Sequence, residues 1–319
     1  MKIGIVCYPT FGGSGVVATE LGMALADKGH EVHFITYNQP VRLDFISHHL
    51  HFHQVLLEEY PLFEYQPYEL ALSSKMVEIV EKHQLEVLHV HYAIPHAYAA
   101  FMAKQMLKEK GISVKVVTTL HGTDITLVGS HPTYKTAVEF SINNSDVVTA
   151  VSNNLKQTTN QLFNINKDIK VVYNFIDVEK YNKAEDEECK RSALAKPNER
   201  ILTHISNFRS VKRVEDVIKV FYEVQKEVPS KLLMIGEGPD RAKAEILTKK
   251  LGITSKVFFL GNSTEIAKIL CYSDVFLLPS QTESFGLAAL EAMAAGTAVI
   301  STNTGGLPEV NINGETGFL

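Results

Sequence analysis

The stretch Glu283-Ser284-Phe285-Gly286-Leu287-Ala288-Ala289-Leu290-Glu291 sets two carboxylates eight positions apart across a loop-to-helix junction. Gly286 frees the backbone to turn, and Leu287 to Leu290, with Ala292, Met293 and Ala294, supplies strong helix formers. A helix start presents N–H groups without intrahelical acceptors, which makes it a ready receiver for a phosphate. One turn further in, Glu291 offers two acceptor oxygens, the complement of a vicinal diol such as a ribose. Glu283, just ahead of the helix, is placed to hold hydroxyls of a sugar on the same diphosphate. A buried alanine-rich helix with a surface glutamate at each end is the plain alternative.

Outward from that junction, short apolar runs alternate with helical patterns along the whole chain. Strands are expected at Ile3–Cys7, Val32–Thr36, Val87–Val90, Val114–Leu120 and Val147–Val151, with helices such as Val16–Lys28 and Pro95–Lys110 between them. A second series follows at Ile201–Ile205, Leu232–Ile235, Val257–Leu260, Val275–Leu278 and Ala298–Ser301. These runs are continuous rather than alternating, as in strands covered on both faces, and their rhythm predicts βαβ units in parallel sheets. At 319 residues the chain is too long for one ordinary domain. The reading is α/β with two doubly wound domains, 1–170 and 171–319, and a hinge near Asp168–Asp177. The polar run Asn182–Arg200, with Glu185-Asp186-Glu187-Glu188, reads as solvated surface. Two such domains would turn the carboxyl ends of their strands toward a shared crevice, so chemistry is expected on the loops after strands.

Composition narrows the function classes. A net charge of −5 and a pI near 6.2 argue against a nucleic-acid binder. No apolar run approaches the roughly 20 residues a bilayer span needs, and Met1–Cys7 reads as a first strand instead of a secretory signal. Cys7, Cys189 and Cys271 are few, odd in number and far apart, which suggests reduced thiols and a cytosolic protein.

Several loops carry suggestive residues. Phe11-Gly12-Gly13-Ser14-Gly15 after the first strand allows close backbone approach to a ligand, but it has neither the dinucleotide spacing nor the lysine of a P-loop. His89-Val90-His91-Tyr92 is read as following the third strand, Thr118-Thr119-Leu120-His121-Gly122-Thr123-Asp124 as following another. Val151-Ser152-Asn153-Asn154 is read as ending the last strand of the first domain. The run His48-His49-Leu50-His51-Phe52-His53 invites a metal, yet no His-Glu-x-x-His helix or clustered cysteine accompanies it. It is read as a polar edge strand, and no metal or other cofactor is expected.

Glu-Ser-Phe-Gly with a second Glu eight residues on, followed by Gly305-Gly306-Leu307-Pro308-Glu309 and Asn313-Gly314-Glu315-Thr316-Gly317, resembles the donor site of retaining glycosyltransferases of the GT-B type, family four. That resemblance implies two Rossmann-like domains facing a cleft that holds a nucleotide-sugar. It implies catalytic roles for His121, Lys212 and Glu283, and donor contacts from Gly13, Asn207, Arg209, Lys212, Gly236, Gly261, Glu283, Ser284, Phe285, Gly286 and Glu291. The family usually shows an arginine five residues before the lysine; here Asn207 stands there, with Arg209 two residues on, so which cation meets which phosphate stays open. Acceptor contacts are assigned to Ser14, Tyr92, Thr119, Asn153 and again Arg209.

Tyr8-Pro9-x-x-Gly-Gly-Ser-Gly, His89-Val-His-Tyr-Ala-Ile-Pro-His-Ala97, Thr118-Thr-Leu-His-Gly-Thr-Asp-Ile-Thr126 and Tyr173-Asn-Phe-Ile-Asp177 are similar to those members that join the sugar of UDP-N-acetylglucosamine to the hydroxyl of L-malate, in bacillithiol biosynthesis. Another small acceptor or a glycan, or a nucleotide-sugar-binding module without turnover, remains open, as does a homo-oligomer. The sequence stops at Thr316-Gly317-Phe318-Leu319, where relatives continue through further βα units and a final helix. The resemblance therefore implies a truncated C-terminal domain and weak or absent turnover.

Overall fold

The computed structural model describes residues 1–43, 47–57, 61, 63–182 and 191–319. The acidic run 185–188 and Cys189 lie outside the described residues. The chain divides into two compact units, Met1–Asn174 and Phe175–Leu319.

In the first unit the elements run β1 (Lys2–Val6), α1 (Gly13–Asp27), β2 (Glu31–Thr36), β3 (Leu50–Gln54), α2 (Tyr68–His83), β4 (Val87–His91), α3 (Tyr98–Glu109), β5 (Lys115–Leu120), α4 (Pro132–Asn144), β6 (Val147–Ala150), α5 (Asn153–Leu162) and β7 (Ile169–Val171). They build a seven-stranded sheet in the order β3-β2-β1-β4-β5-β6-β7, with every pairing parallel. The order reverses between β1 and β4, the place where such sheets open a crevice for ligands. Helices cover both faces. On one side Leu72, Met76, Ile79 and Val80 of α2 and Ala99, Ala103 and Leu107 of α3 bury against Val6, Ile35 and Leu88. On the other, Ala18 and Ala26 of α1 pack with Ile5 and Phe34.

The second unit contributes α6 (Glu179–Asn182), β8 (Arg200–Ile205), α7 (Val214–Glu227), β9 (Ser230–Ile235), α8 (Arg241–Lys250), β10 (Val257–Gly261), α9 (Ile266–Cys271), β11 (Val275–Leu278), α10 (Leu287–Ala294), β12 (Ala298–Ser301) and β13 (Gly317–Phe318). Its six-stranded sheet, β10-β9-β8-β11-β12-β13, is also parallel and reverses order between β8 and β11. In α7, Val214, Val217, Ile218 and Phe221 recur at helical spacing and are the buried face. Phe208, Phe221 and Phe276 are fully buried, each a contribution of about 1.5–3 kcal/mol over leaving it in water.

Both units are therefore parallel, doubly wound and α/β, as the rhythm of apolar runs predicts. Three placements differ from the sequence reading. His89 and His91 lie inside β4, and the loop begins only at Tyr92. The helix expected from Pro95 begins at Tyr98, after a turn over Ala93–Ala97 that contains the cis Ile94–Pro95 bond. Because β7 pairs with β6, Val151–Asn154 does not close the sheet. Isolated polar residues inside buried strands, such as His89 and Thr118, break the apolar pattern that sequence reasoning relies on.

Candidate active site

The reversal point of the second sheet fixes the Glu283 motif. The loop after β8 carries Asn207, Arg209 and Lys212, and the loop after β11 carries Glu283, Ser284, Phe285 and Gly286. The two loops meet: Gln281 N–H donates to Val211 C=O at 2.7 Å, and Lys212 Nζ donates to Glu283 Oε2 at 2.5 Å. Ser280 Oγ donates to the same carboxylate oxygen at 3.3 Å. Both charged side chains are largely but not wholly shielded, at 18% and 17% exposure, so the pair is accessible yet little screened by water.

Gly305 and Gly306 explain why the glycine-rich sequel accompanies this motif. Gly306 N–H donates to Glu283 C=O at 2.8 Å. A Cβ at Gly305 would stand 1.9 Å from that same carbonyl oxygen, at a φ of +57°, and one at Gly306 would stand 2.3 Å from Ser284 C=O. No side chain fits there. The turn after β12 is thus moulded onto the backbone of the glutamate loop. Gly286, at φ +99°, caps α10, so the first turn of that helix begins directly behind Phe285.

Glu291 lies one turn into α10 and is almost buried, at 5% exposure. Its Oε1 accepts from Tyr181 Oη at 2.9 Å, an aromatic partner 110 residues away that nothing in the sequence announces. Gly236 packs on the β8 loop: at φ +122°, its Cβ would fall 1.7 Å from Ser206 C=O. Gly236 N–H in turn donates to Gly261 C=O at 2.8 Å, which joins two of the sequence-predicted nucleotide loops. Asn207 Oδ1 is buried and has no hydrogen-bond partner among the described residues. Arg209 is exposed. Next to them, His204 is held neutral by burial, which brings its pKa down to about 4. It donates from Nδ1 to Leu277 C=O at 2.8 Å.

In the first unit the reversal point gathers a second group. Ser14, on the first turn of α1, hydrogen-bonds the Tyr92 hydroxyl at 2.8 Å. Tyr92 also faces His121, with ring centroids 5.4 Å apart. Gly13 opens α1 beside Ser14 and is exposed. His121 Nε2 and His91 Nδ1 are hydrogen-bonded at 2.8 Å. Thr119 Oγ1 lies 2.8 Å from both His89 Nε2 and Thr149 Oγ1. Asn153, at the start of α5, instead donates to Tyr173 Oη at 2.7 Å. Arg209, assigned to the same acceptor group, belongs to the second unit.

Asp124 is the residue sequence reasoning quoted without giving it a role. Its Oδ1 accepts from the N–H groups of His121 and Gly122 at 3.2 and 2.9 Å, and its Oδ2 from Ala93 N–H at 2.9 Å. One buried carboxylate thereby ties the β5 loop to the β4 loop and fixes the backbone under His121. Burial pushes Asp124 up to about 6, against the pull of those three amides. The imidazoles move the other way: burial brings His121 down to about 3, His89 and His96 to about 4, and His91 well below its ordinary value. At neutral pH His121 is a neutral hydrogen-bonding ring, not a cation.

Comparisons with known proteins identify the family. Residues 11–180 match the family model described as Glycosyltransferase Family 4, and residues 185–319 the one described as Glycosyl transferases group 1. The N-acetyl-alpha-D-glucosaminyl L-malate synthase of Bacillus anthracis is 51% identical over 100% of this chain and 83% of its own length. An uncharacterised glycosyltransferase of Methanocaldococcus jannaschii is 29% identical, over 97% of this chain and 82% of its own. Among solved structures, Anabaena HepE in complex with UDP and glucose superposes with a TM-score of 0.79 at 18% identity, covering 100% of this chain and 85% of that one. Sucrose-phosphate synthase from Thermosynechococcus elongatus gives 0.77 at 22% identity, with the same coverage. Those last two share the fold. With both halves matched by glycosyltransferase models and half its residues identical to one enzyme along its whole length, the chain belongs to glycosyltransferase family 4.

Proposed function

We propose that this chain moves N-acetylglucosamine from UDP-N-acetylglucosamine to the hydroxyl of L-malate with retention at the sugar carbon, the first step of bacillithiol biosynthesis. The observation that carries the reading is the Lys212–Glu283 pair at the sheet's reversal point, in a chain 51% identical to an enzyme named for that product. The diphosphate of the donor takes Lys212 as its counter-ion and lies toward the first turn of α10. Glu283, relieved of part of its lysine contact, accepts hydroxyls of the sugar. Glu291, steadied by Tyr181, accepts from the ribose. Arg209, exposed on the same loop as Lys212, adds a second cation, and the open Oδ1 of Asn207 takes a donor from the nucleotide.

The acceptor hydroxyl attacks from the face that the diphosphate leaves, and the departing phosphate oxygen takes its proton. The protein supplies orientation and charge neutralisation, not a covalent nucleophile. Neutral His121 donates or accepts a hydrogen bond at the reacting sugar, and Ser14, Tyr92, Thr119 and Asn153 serve the acceptor. No metal or cofactor takes part in the transfer. Both substrates and the buried thiol of Cys7 suit a cytoplasmic enzyme.

The test is to incubate the protein with UDP-N-acetylglucosamine and a panel of hydroxy acids and sugars, with mass detection of products. An N-acetylglucosaminyl malate product is expected. Turnover with sugar acceptors alone would refute the malate assignment, and binding of UDP without turnover of any acceptor would refute the enzymatic one.

A further inference from the structure

The edge of the first sheet gathers four histidines that the transfer reaction does not use. In β2, Glu31 and His33 alternate onto one face of the sheet. In β3, His51 and His53 alternate onto the same face, because the parallel register pairs His33 with His51 and Ile35 with His53. Ile35 belongs to the core beneath α2, so this is the face α2 covers. His83, the last residue of α2, closes over the group. Three elements thus deliver imidazoles to one spot. His33 is fully buried and His53 and His83 are half-buried. One nitrogen from each of His33, His53 and His83 lies within 4.8 Å of the others.

The hydrogen bonding decides which nitrogens are available. A carboxylate only accepts, so Glu31 Oε1, 3.1 Å from His33 Nε2, fixes the proton of His33 on Nε2. His33 Nδ1 is then a lone pair, and it points at His53 Nε2 at 2.8 Å. His83 Nε2 is buried and has no hydrogen-bond partner among the described residues. A histidine whose far N–H is held by a carboxylate, with its other nitrogen turned to a second imidazole and a third ring 4.5 Å away, is the arrangement that orients rings around a metal. Nitrogens bound tetrahedrally to one zinc at about 2.0–2.1 Å stand about 3.3 Å apart, so His33 and His53 need to part by only about half an ångström. His51 stacks on His33, ring centroids 4.5 Å apart, and its Nε2 lies 3.8 Å from Glu31 Oε1. Glu31 therefore gathers both rings on the outer side of the group.

We infer that His33, His53 and His83 form a structural site for a divalent transition-metal ion of the zinc class, with Glu31 orienting His33 and water completing the tetrahedron. An all-imidazole set suits zinc, copper or nickel over calcium or magnesium. The ion would fasten the edge strand β3 to β2 and to the end of α2, through side chains to which no substrate role is assigned.

Untagged full-length protein, stripped with a chelator and dialysed, is titrated with zinc by calorimetry. In parallel it is titrated with cobalt, whose visible absorption reports tetrahedral nitrogen ligation. One equivalent of zinc at micromolar or tighter affinity is expected, with an intense cobalt spectrum and a higher melting temperature in the loaded protein. His53→Gln and His83→Gln each lower the affinity at least tenfold and remove the cobalt spectrum. Glu31→Gln weakens binding about 10–100-fold while leaving the spectrum tetrahedral. Circular dichroism of each variant establishes that it is folded; the half-buried His53 and His83 are chosen because they tolerate an amide. Absence of zinc uptake, or uptake unchanged in both histidine variants, overturns the site.

Discussion

Lys212 and Glu283 stand 71 positions apart in the chain and 2.5 Å apart in the structure. Each was assigned a ligand of its own by resemblance, the lysine a phosphate and the glutamate a sugar. Their contact means that each also sets the other's position, so their effects should not add. Lys212→Ala and Glu283→Gln are each expected to lower kcat/KM by about 10²–10³, with the double variant losing far less than the product of the two. Steady-state kinetics on the three proteins checks this, and fully multiplicative losses would argue that the pair does not act together. Tyr181→Phe removes the hydrogen bond that holds Glu291, a contact to a charged group worth about 1.5–3 kcal/mol. It should weaken UDP binding while leaving the acceptor KM unchanged, as read by calorimetry with UDP and by malate titration. Among these residues the sequence made both glutamates and the lysine legible. Tyr181 gave no signal and Asp124, though quoted, no role, because a partner 110 positions away and a carboxylate clasping three amides are products of folding.

At the scale of elements, the turn after β12 and the β4–β5 loops carry the sharpest demands. A methyl at Gly305 meets Glu283 C=O in a conformation that L-residues avoid, so the loop must shift. Gly305→Ala is expected to cost about 1–3 kcal/mol in stability and most of the transferase activity. Chemical denaturation together with the activity assay tests both. The histidines of β4 and of the loops after β4 and β5 are expected to make the first unit acid-labile. Their folded pKa values lie below the ordinary 6.5, so they contribute stability above that pH and lose it as pH falls toward about 4 and 3. Asp124 has the opposite sign: its folded value near 6 exceeds the ordinary 3.8, and its contribution fades as pH rises through 6. Several histidines outweigh one aspartate, each losing up to about 2 kcal/mol between pH 6.5 and 5 at 1.36 kcal/mol per unit. Denaturation midpoints should therefore drop between pH 7 and 5, and a midpoint that stays level would show that these rings are not held neutral by burial.

At the scale of the molecule, the residues proposed for the donor, all but Gly13, lie in the second unit, and those proposed for the acceptor, all but Arg209, in the first. Substitutions should sort accordingly. Ser14→Ala and Tyr92→Phe are expected to raise the KM for malate several-fold with UDP affinity unchanged, whereas Glu291→Ala should weaken UDP binding and spare malate. Crossed effects of equal size would argue against this division of labour. Among the described residues no helix is long and apolar enough to cross a membrane.

The sequence by itself determined the α/β class, the parallel sheets, most strands to within a residue or two, and the family. Strand hydrophobicity and the glycine-rich loops are local properties, written in consecutive residues. Only the tertiary structure decided which distant side chains meet: Lys212 with Glu283, Tyr181 with Glu291, Asp124 with the β4 loop, and His33 with His51, His53 and His83. Those meetings depend on strand order and on the register between β2 and β3, and both are set by packing among segments far apart in the chain. Spacing along a sequence records neither.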